Sequence, residues 1–154
     1  RFLTMFRGLS VMLKFQLNEN EGGQDWIRQQ VRRYNVETSP FHAIKRSNGT
    51  QAVTLLAKRN DQPIGGITGD AYWGWLHIEW FFVVKEERGS GLGTTLFHRL
   101  ETWAREAGID RIRVETFSFQ ALSFYERKGF IEVGRIDDYL PCASYHLLVK
   151  QVDR

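Results

Sequence analysis

Between Trp75 and Phe117 the hydrophobic period of the chain changes twice, and that order leaves few folds open. An alternating apolar run from Trp75 to Val84 gives way to a charged turn, Lys85-Glu86-Glu87, and then to Arg88-Gly89-Ser90-Gly91-Leu92-Gly93. Apolar residues next recur at helical spacing, at Leu92, Leu96, Leu100, Trp103 and Ala107, until Gly108 stands where a helix stop belongs. From Arg111 to Phe117, Ile112, Val114 and Thr116 alternate against Arg113, Glu115 and Phe117. A strand, a helix and another strand in this order form a right-handed crossover between parallel strands. The glycine-rich turn lies inside that crossover, at a helix start. Glycines let the backbone approach a ligand closely, and the outward-pointing amides suit an anion such as a pyrophosphate. Arg88 adds a formal charge at the mouth.

Rival readings of the turn are weaker. A mononucleotide loop ends in Gly-Lys-Ser/Thr, whereas Thr94-Thr95 follows Gly93 with no lysine between. A dinucleotide fingerprint begins at the strand end and carries a glycine three residues after its second one. Here four charged residues intervene and that last position is Thr94, although Glu115 stands at a plausible distance for a ribose partner.

The pattern Arg-x-x-Gly-x-Gly, five residues after Val83, resembles motif A of the GNAT superfamily of acetyl-CoA-dependent N-acetyltransferases. Downstream, Ala121 and Phe124-Tyr125-Glu126-Arg127-Lys128-Gly129-Phe130 resemble that family's Ala-x-x-x-Tyr-Glu-x-x-Gly-Phe segment, in its order and at its usual separation. The resemblance covers the region from Gly65 to Phe130. It implies a single-domain α/β fold with a mixed central sheet of six to seven strands, splayed at the cofactor site and flanked by helices.

Composition agrees. The 154 residues, 42% hydrophobic and 25% charged, fit one domain with one core. Polar residues break every apolar run before membrane-spanning length, so no membrane partner is expected. A single cysteine, Cys142, excludes an internal disulfide framework, and four scattered histidines offer no zinc spacing; no metal site is expected. The net charge of +3 is dispersed and does not suggest nucleic acid, though a slightly basic surface helps attract an anionic cofactor such as CoA. Residues 1–11 read as an extension before a start near Met12, leaving 12–154 as the transferase domain.

Around the crossover, Leu13, Phe15 and Leu17 alternate as a first strand, and Ile27, Val31 and Tyr34 give a helix over Gln24–Tyr34 with Asp25 near its start. Gln51–Lys58, Ile64–Tyr72 and Trp75–Val84 read as three antiparallel strands, the first two joined through Asn60-Asp61-Gln62-Pro63. A helix over Gln120–Lys128 and a closing hairpin of Ile131–Ile136 with Ala143–Val149 complete the chain.

Acetyl transfer from a thioester to an amine needs a neutral nucleophile, stabilisation of an oxyanion and a proton for the departing thiolate. Tyr125 stands where the family's general-acid tyrosine stands; without the resemblance it reads as an aromatic packing a helix on the sheet. The resemblance implies that backbone groups of Phe82, Val83 and Val84 hold the pantetheine and thioester. It assigns the phosphates to Arg88, Gly89, Ser90, Gly91, Leu92, Gly93 and Thr94, with Phe124 beside them. Ser118 replaces the family's frequent asparagine, either as a shorter cofactor contact or as the cap of the following helix.

By strict alternation Trp75, His77, Glu79, Phe81 and Val83 share one face, and Leu76, Ile78, Trp80, Phe82 and Val84 the other. Glu79, nine residues before Arg88, matches an acid that in the family binds a cationic acceptor or takes its proton through water; pairing with an arginine is the structural alternative. His77 is the competing base. Cys142, after Pro141 and with no base nearby in sequence, is a poor candidate for an acyl-enzyme. The aromatics Trp73, Trp75, Trp80, Phe81, Phe117 and Phe119 cluster near the ends of the two central strands, those at the cleft mouth being candidates for an acceptor pocket. The segment Thr116–Ala121 resembles a bacterial branch of small GNAT enzymes.

The resemblance thus implies a bacterial, cytoplasmic enzyme that moves the acetyl group of acetyl-CoA to a primary amine of a small molecule by direct attack, with a homodimer as the family-level expectation. A protein or peptide acetyltransferase would use the same cofactor machinery, and a non-catalytic acyl-CoA sensor would keep Arg88 to Gly93 without needing Tyr125.

Overall fold

The computed structural model describes residues 13–17, 22–47 and 49–153, and the chain divides into two units, Arg1–Ile44 and Lys45–Arg154. The expected extension over residues 1–11 and the start at Met12 lie outside the described residues. Leu13 to Leu17, expected as a strand, forms none. Alternation supplies two faces, but a strand also needs a partner for its backbone groups. In the first unit, the helical spacing of Ile27, Val31 and Tyr34 becomes helix α1, Gly23–Thr38, entered through Gly22 at φ 95°, with Asp25 and Arg28 paired at 3.0 Å in its first turns. A second helix, α2, Pro40–Ser47, was not anticipated from periodicity. Its signal is Ser39-Pro40: proline is preset for the first helical position, and Ser39 Oγ accepts the His42 N–H at 3.2 Å.

The second unit carries a six-stranded mixed sheet: β1 (Gln51–Arg59), β2 (Gln62–Tyr72), β3 (Trp75–Val83), β4 (Arg111–Phe117), β5 (Ile131–Leu140) and β6 (Ala143–Gln151), in the order β1-β2-β3-β4-β6-β5. Among the described residues only β3 and β4 pair in parallel, as the crossover requires. The crossover contains a short 3₁₀ turn, Lys85–Glu87, and helix α3, Leu92–Glu106; helix α4, Leu122–Arg127, follows β4. The β1–β2 turn is tighter than expected. Asn60 and Asp61 take φ of 48° and 63°, as a two-residue hairpin turn demands, and Gln62 and Pro63 already belong to β2.

Leu96, Phe97, Leu100 and Ala104 of α3 are buried in one cluster with Ile67, Leu76, Ile78, Ile112 and Val114 of the sheet. Each large side chain so buried contributes about 1.5–3 kcal/mol against leaving it in water, which anchors the crossover and the loop within it.

Strict alternation fails along β3. Ile78 faces Gly69 and Trp80 faces Thr68, so Glu79 is an extra residue opposite the β2 ladder. This β-bulge swaps the two faces. Before it, Leu76 and Ile78 enter the core; after it, Phe81 and Val83 pack against the core while Trp80 is 76% and Phe82 60% exposed. The expected grouping of Phe81 and Val83 with His77 is therefore wrong. The shift of phase is hidden in the sequence because the outward-facing Trp80 and Phe82 are as apolar as the inward-facing Phe81 and Val83.

Candidate active site

The β3–β4 ladder runs from Trp75/Arg111 only to Ile78/Val114, although β3 continues to Val83 and β4 to Phe117. Beyond that point the two strands splay, and the parallel pairing no longer occupies the backbone groups of β3 on that side. On the other side Val84 N–H donates to Ile64 C=O at 3.0 Å, so the antiparallel alternation turns the polar groups of Val83 toward the splay. Arg88 Nε donates to the Val83 carbonyl at 3.0 Å, which confirms that direction.

The splay opens into a cleft of about 1100 Å³. This is just above the roughly 300–1,000 Å³ common for small-molecule sites. Its floor comes from both strands, its wall from α4, and one end from the glycine loop. Gly89 and Gly91 take φ of 79° and 89°, with Gly91 directly preceding α3, so the chain turns there without side chains in the way. Arg88 keeps its two terminal nitrogens free of hydrogen bonds among the described residues. Arg59 forks Glu87 from β1, which steadies the turn before the loop.

Of the expected site residues, Glu79, Phe82, Val83, Arg88, Gly89, Gly91, Gly93, Thr94, Phe124 and Tyr125 line this cleft together. Val84, Ser90, Leu92 and Ser118 are not in its lining. Val84 is on the β2 ladder, Ser90 Oγ donates to Glu87 C=O at 2.7 Å, and Leu92 packs on the core. Ser118 does not cap α4, whose capping position is Ala121. Its Oγ accepts the Ser144 N–H at 3.2 Å and its own N–H donates to Ser144 C=O at 2.9 Å, tying the end of β4 to β6.

Tyr125, 3% exposed, packs its ring between Phe81, Phe124 and Phe130, with centroids 6.3, 5.5 and 5.2 Å away. Its hydroxyl has no hydrogen bond among the described residues. Burial pushes the phenol far above its ordinary value, because a phenolate there would lose its hydration. The bulge matters here: it is what brings Phe81 to the same side of the sheet as Tyr125.

Glu79, at the bulge, is exposed and forms no hydrogen bond or ion pair among the described residues. His77, the competing base, lies outside the cleft lining, and its Nε2 is 2.6 Å from Glu115 Oε2. Arg113 Nη1 donates to the other Glu115 oxygen at 2.6 Å, so that carboxylate is held from both sides. Cys142 sits in the β5–β6 turn, also outside the lining. The cleft further draws on Thr116, Gln120 and Tyr145. Thr116 and Gln120 belong to the Thr116–Ala121 segment that carries the bacterial-branch resemblance, but nothing in the local sequence marks Tyr145; β4–β6 pairing puts it opposite Phe117 across 28 residues of chain.

This arrangement of donor loop, free strand edge and buried phenol fits a long ligand with an anionic end and a carbonyl end. The model of the acetyltransferase (GNAT) family matches residues 20–130. A blasticidin-S acetyltransferase from Streptomyces morookaense is 37% identical over 126 residues, covering 77% of this chain and 93% of that protein. The crystal structure of an acetyltransferase from Bacillus cereus ATCC 14579 superposes with a TM-score of 0.80 at 31% identity, over 90% of this chain and 97% of its own. A Bacillus anthracis protein assigned as a streptothricin acetyltransferase and solved in complex with acetyl coenzyme A gives 0.57 at 26% identity, over 65% and 62%. Family model, relatives and fold agree that the chain belongs to the GNAT family and is an acetyl-CoA-dependent acetyltransferase.

Proposed function

We propose that the protein acetylates the primary amine of a cationic small molecule, the amine attacking directly while acetyl-CoA and acceptor are both bound. The observation that carries this reading is Tyr125, a buried phenol lining the splayed cleft with its hydroxyl uncommitted. Acetyl-CoA supplies an activated acyl group and a thiol leaving group. Arg88 and the amides of residues 89–94 would hold its phosphates and the strand edge at Phe82 and Val83 its pantetheine arm, with Phe124 beside them; Val84 and Ser118, bonded to Ile64 and Ser144, stay outside the site. Tyr125 donates its proton where negative charge gathers on sulfur. Burial penalises phenolate and thiolate alike, so the transfer depends on their relative proton affinity rather than on either group's value in water.

Glu79 attracts the acceptor's charge and receives its proton, directly or through water, because only the neutral amine is a nucleophile. The names of the blasticidin-S and streptothricin relatives support a small-molecule acceptor, and their sources support a bacterial origin of the chain. Thiol release from acetyl-CoA across a panel of cationic amines, with acceptor-free controls, tests the reading. Silence across the panel by protein that binds acetyl-CoA would refute it and turn attention to a protein acceptor or a sensor.

Two substitutions divide the roles. Arg88→Ala should raise the KM for acetyl-CoA about tenfold with kcat little changed, as expected for losing one charge-assisted contact made equally in ground and transition states. A KM within twofold of the wild type would remove Arg88 from the cofactor site. Glu79→Gln should raise the acceptor KM by about tenfold and lower kcat as well. Retention of both wild-type values would assign acceptor binding and proton removal elsewhere.

A further inference from the structure

We infer that the acceptor end of the cleft has a second anchoring point besides Glu79: an aromatic wall, tipped by Phe119, that selects acceptors carrying a flat π-faced group. The inference rests on the small-molecule amine reading above and names the acceptor's chemistry within it.

Phe117, Phe119 and Tyr145 line the same cleft as Glu79 and Glu115. Phe119 lies parallel to Phe117, at 10° and 5.3 Å between centroids. Phe117 in turn packs edge-on against Tyr145 at 5.1 Å and Tyr139 at 5.7 Å, and those two rings stack on each other at 5.0 Å. Phe119 is nevertheless 66% exposed. The ring is thus supported from behind and bare in front.

A bare phenylalanine on a loose loop would carry little meaning, but this turn is pinned. Gln120 Oε1 accepts the Phe117 N–H at 3.0 Å, and Gln120 N–H donates back to Phe117 C=O at 3.0 Å. The two Ser118–Ser144 bonds fasten the same turn to β6. A rigid aromatic face loses little freedom when a ligand stacks on it, so the contact is realised as affinity rather than spent on ordering.

The charges divide the labour. Glu115 is already occupied by Arg113 and His77, and Glu87 by Arg59, which leaves Glu79 as the lining carboxylate able to take an ammonium group. The aromatic faces carry negative quadrupole potential, so they accept either a neutral ring or a delocalised planar cation such as guanidinium. An alkyl chain of equal volume gains burial but no stacking.

Two matched pairs of amines test the wall and separate those sources. 2-Phenylethylamine against 2-cyclohexylethylamine isolates a neutral flat ring from a puckered one. Agmatine against 1,5-diaminopentane isolates guanidinium from ammonium at equal charge. The expected result is a kcat/KM preference of about 3- to 10-fold for the flat member of at least one pair, collapsing toward unity in Phe119→Leu. The ratio is internal to each protein, and thermal melting of Phe119→Leu verifies its fold. Equal use of both members of both pairs, or a preference that survives in Phe119→Leu, overturns the aromatic wall and leaves amine acetylation standing. Failure to acetylate any of the four by protein that binds acetyl-CoA overturns the reading on which the wall rests.

Discussion

Tyr125→Phe is expected to bind acetyl-CoA normally and to turn over at least about tenfold more slowly, general acid catalysis being worth roughly 10²- to 10⁴-fold. The substitution removes one oxygen and keeps the ring. Because the hydroxyl has no hydrogen bond among the described residues, its loss orphans no partner, and the contacts with Phe81, Phe124 and Phe130 persist. Stability should therefore stay within about 0.5 kcal/mol of the parent, so a slow variant cannot be dismissed as a misfolded one. Steady-state kinetics with a saturating acceptor would measure the change. The loss should appear in kcat and kcat/KM alike, as for an interaction made only in the transition state.

The same residue gives a pH expectation. The active form is the protonated phenol, and burial raises its pKa, so the alkaline fall in rate due to Tyr125 moves above the ordinary tyrosine range. A wild-type kcat that declines well below about pH 10, with the decline abolished in Tyr125→Phe, would contradict a phenol held protonated by burial.

Gly69→Ala should be the most damaging single-methyl change in the sheet. A Cβ at that position would stand 2.3 Å from the backbone oxygen of His77 and 3.2 Å from the Leu76 side chain. The oxygen belongs to the strand next to the bulge and cannot rotate away, so β2 and β3 must separate or the register must shift. An overpacking cost of about 3 kcal/mol follows. For a domain of this size that is a drop in Tm of about 6–12 °C. Gly134→Ala is the control, since its Cβ would meet Leu147 at an ordinary 3.7 Å. If the two variants melted together, the close approach of β2 to the bulge would be refuted. Because the bulge sets which way Phe81 points, partial relief of the clash should also lower turnover in whatever Gly69→Ala remains folded.

What could be read from the chain, and what could not, divides along the distance over which a signal acts. The crossover was legible because hydrophobic period, Gly89, Gly91 and the Gly108 stop are all local, and the handedness of a parallel crossover follows from strand twist. Tyr125 was legible through its motif, but its environment was not. Phe81 reaches it only because Glu79 is an extra residue, and that depends on Gly69, ten residues earlier in another strand. The aromatic wall shows the same limit: Phe117 and Phe119 are neighbours in sequence, whereas Tyr145 and Tyr139 meet them through β4–β6 and β5–β6 pairing. Helix α2 was missed for a different reason, as its signal lay in the Ser39-Pro40 cap and not in periodicity.

By itself, then, the sequence determined the strand–loop–helix–strand unit and its glycine-rich loop, which rest on dihedral preferences or periodicities spanning a few residues, and it offered the candidate acid through a short motif. Only the tertiary structure decided where β3 parts from β4, which face each residue beyond Glu79 presents, and which carboxylate remains unpaired. Those outcomes depend on register and on close approach between strands, and both are set by contacts between residues far apart in the chain.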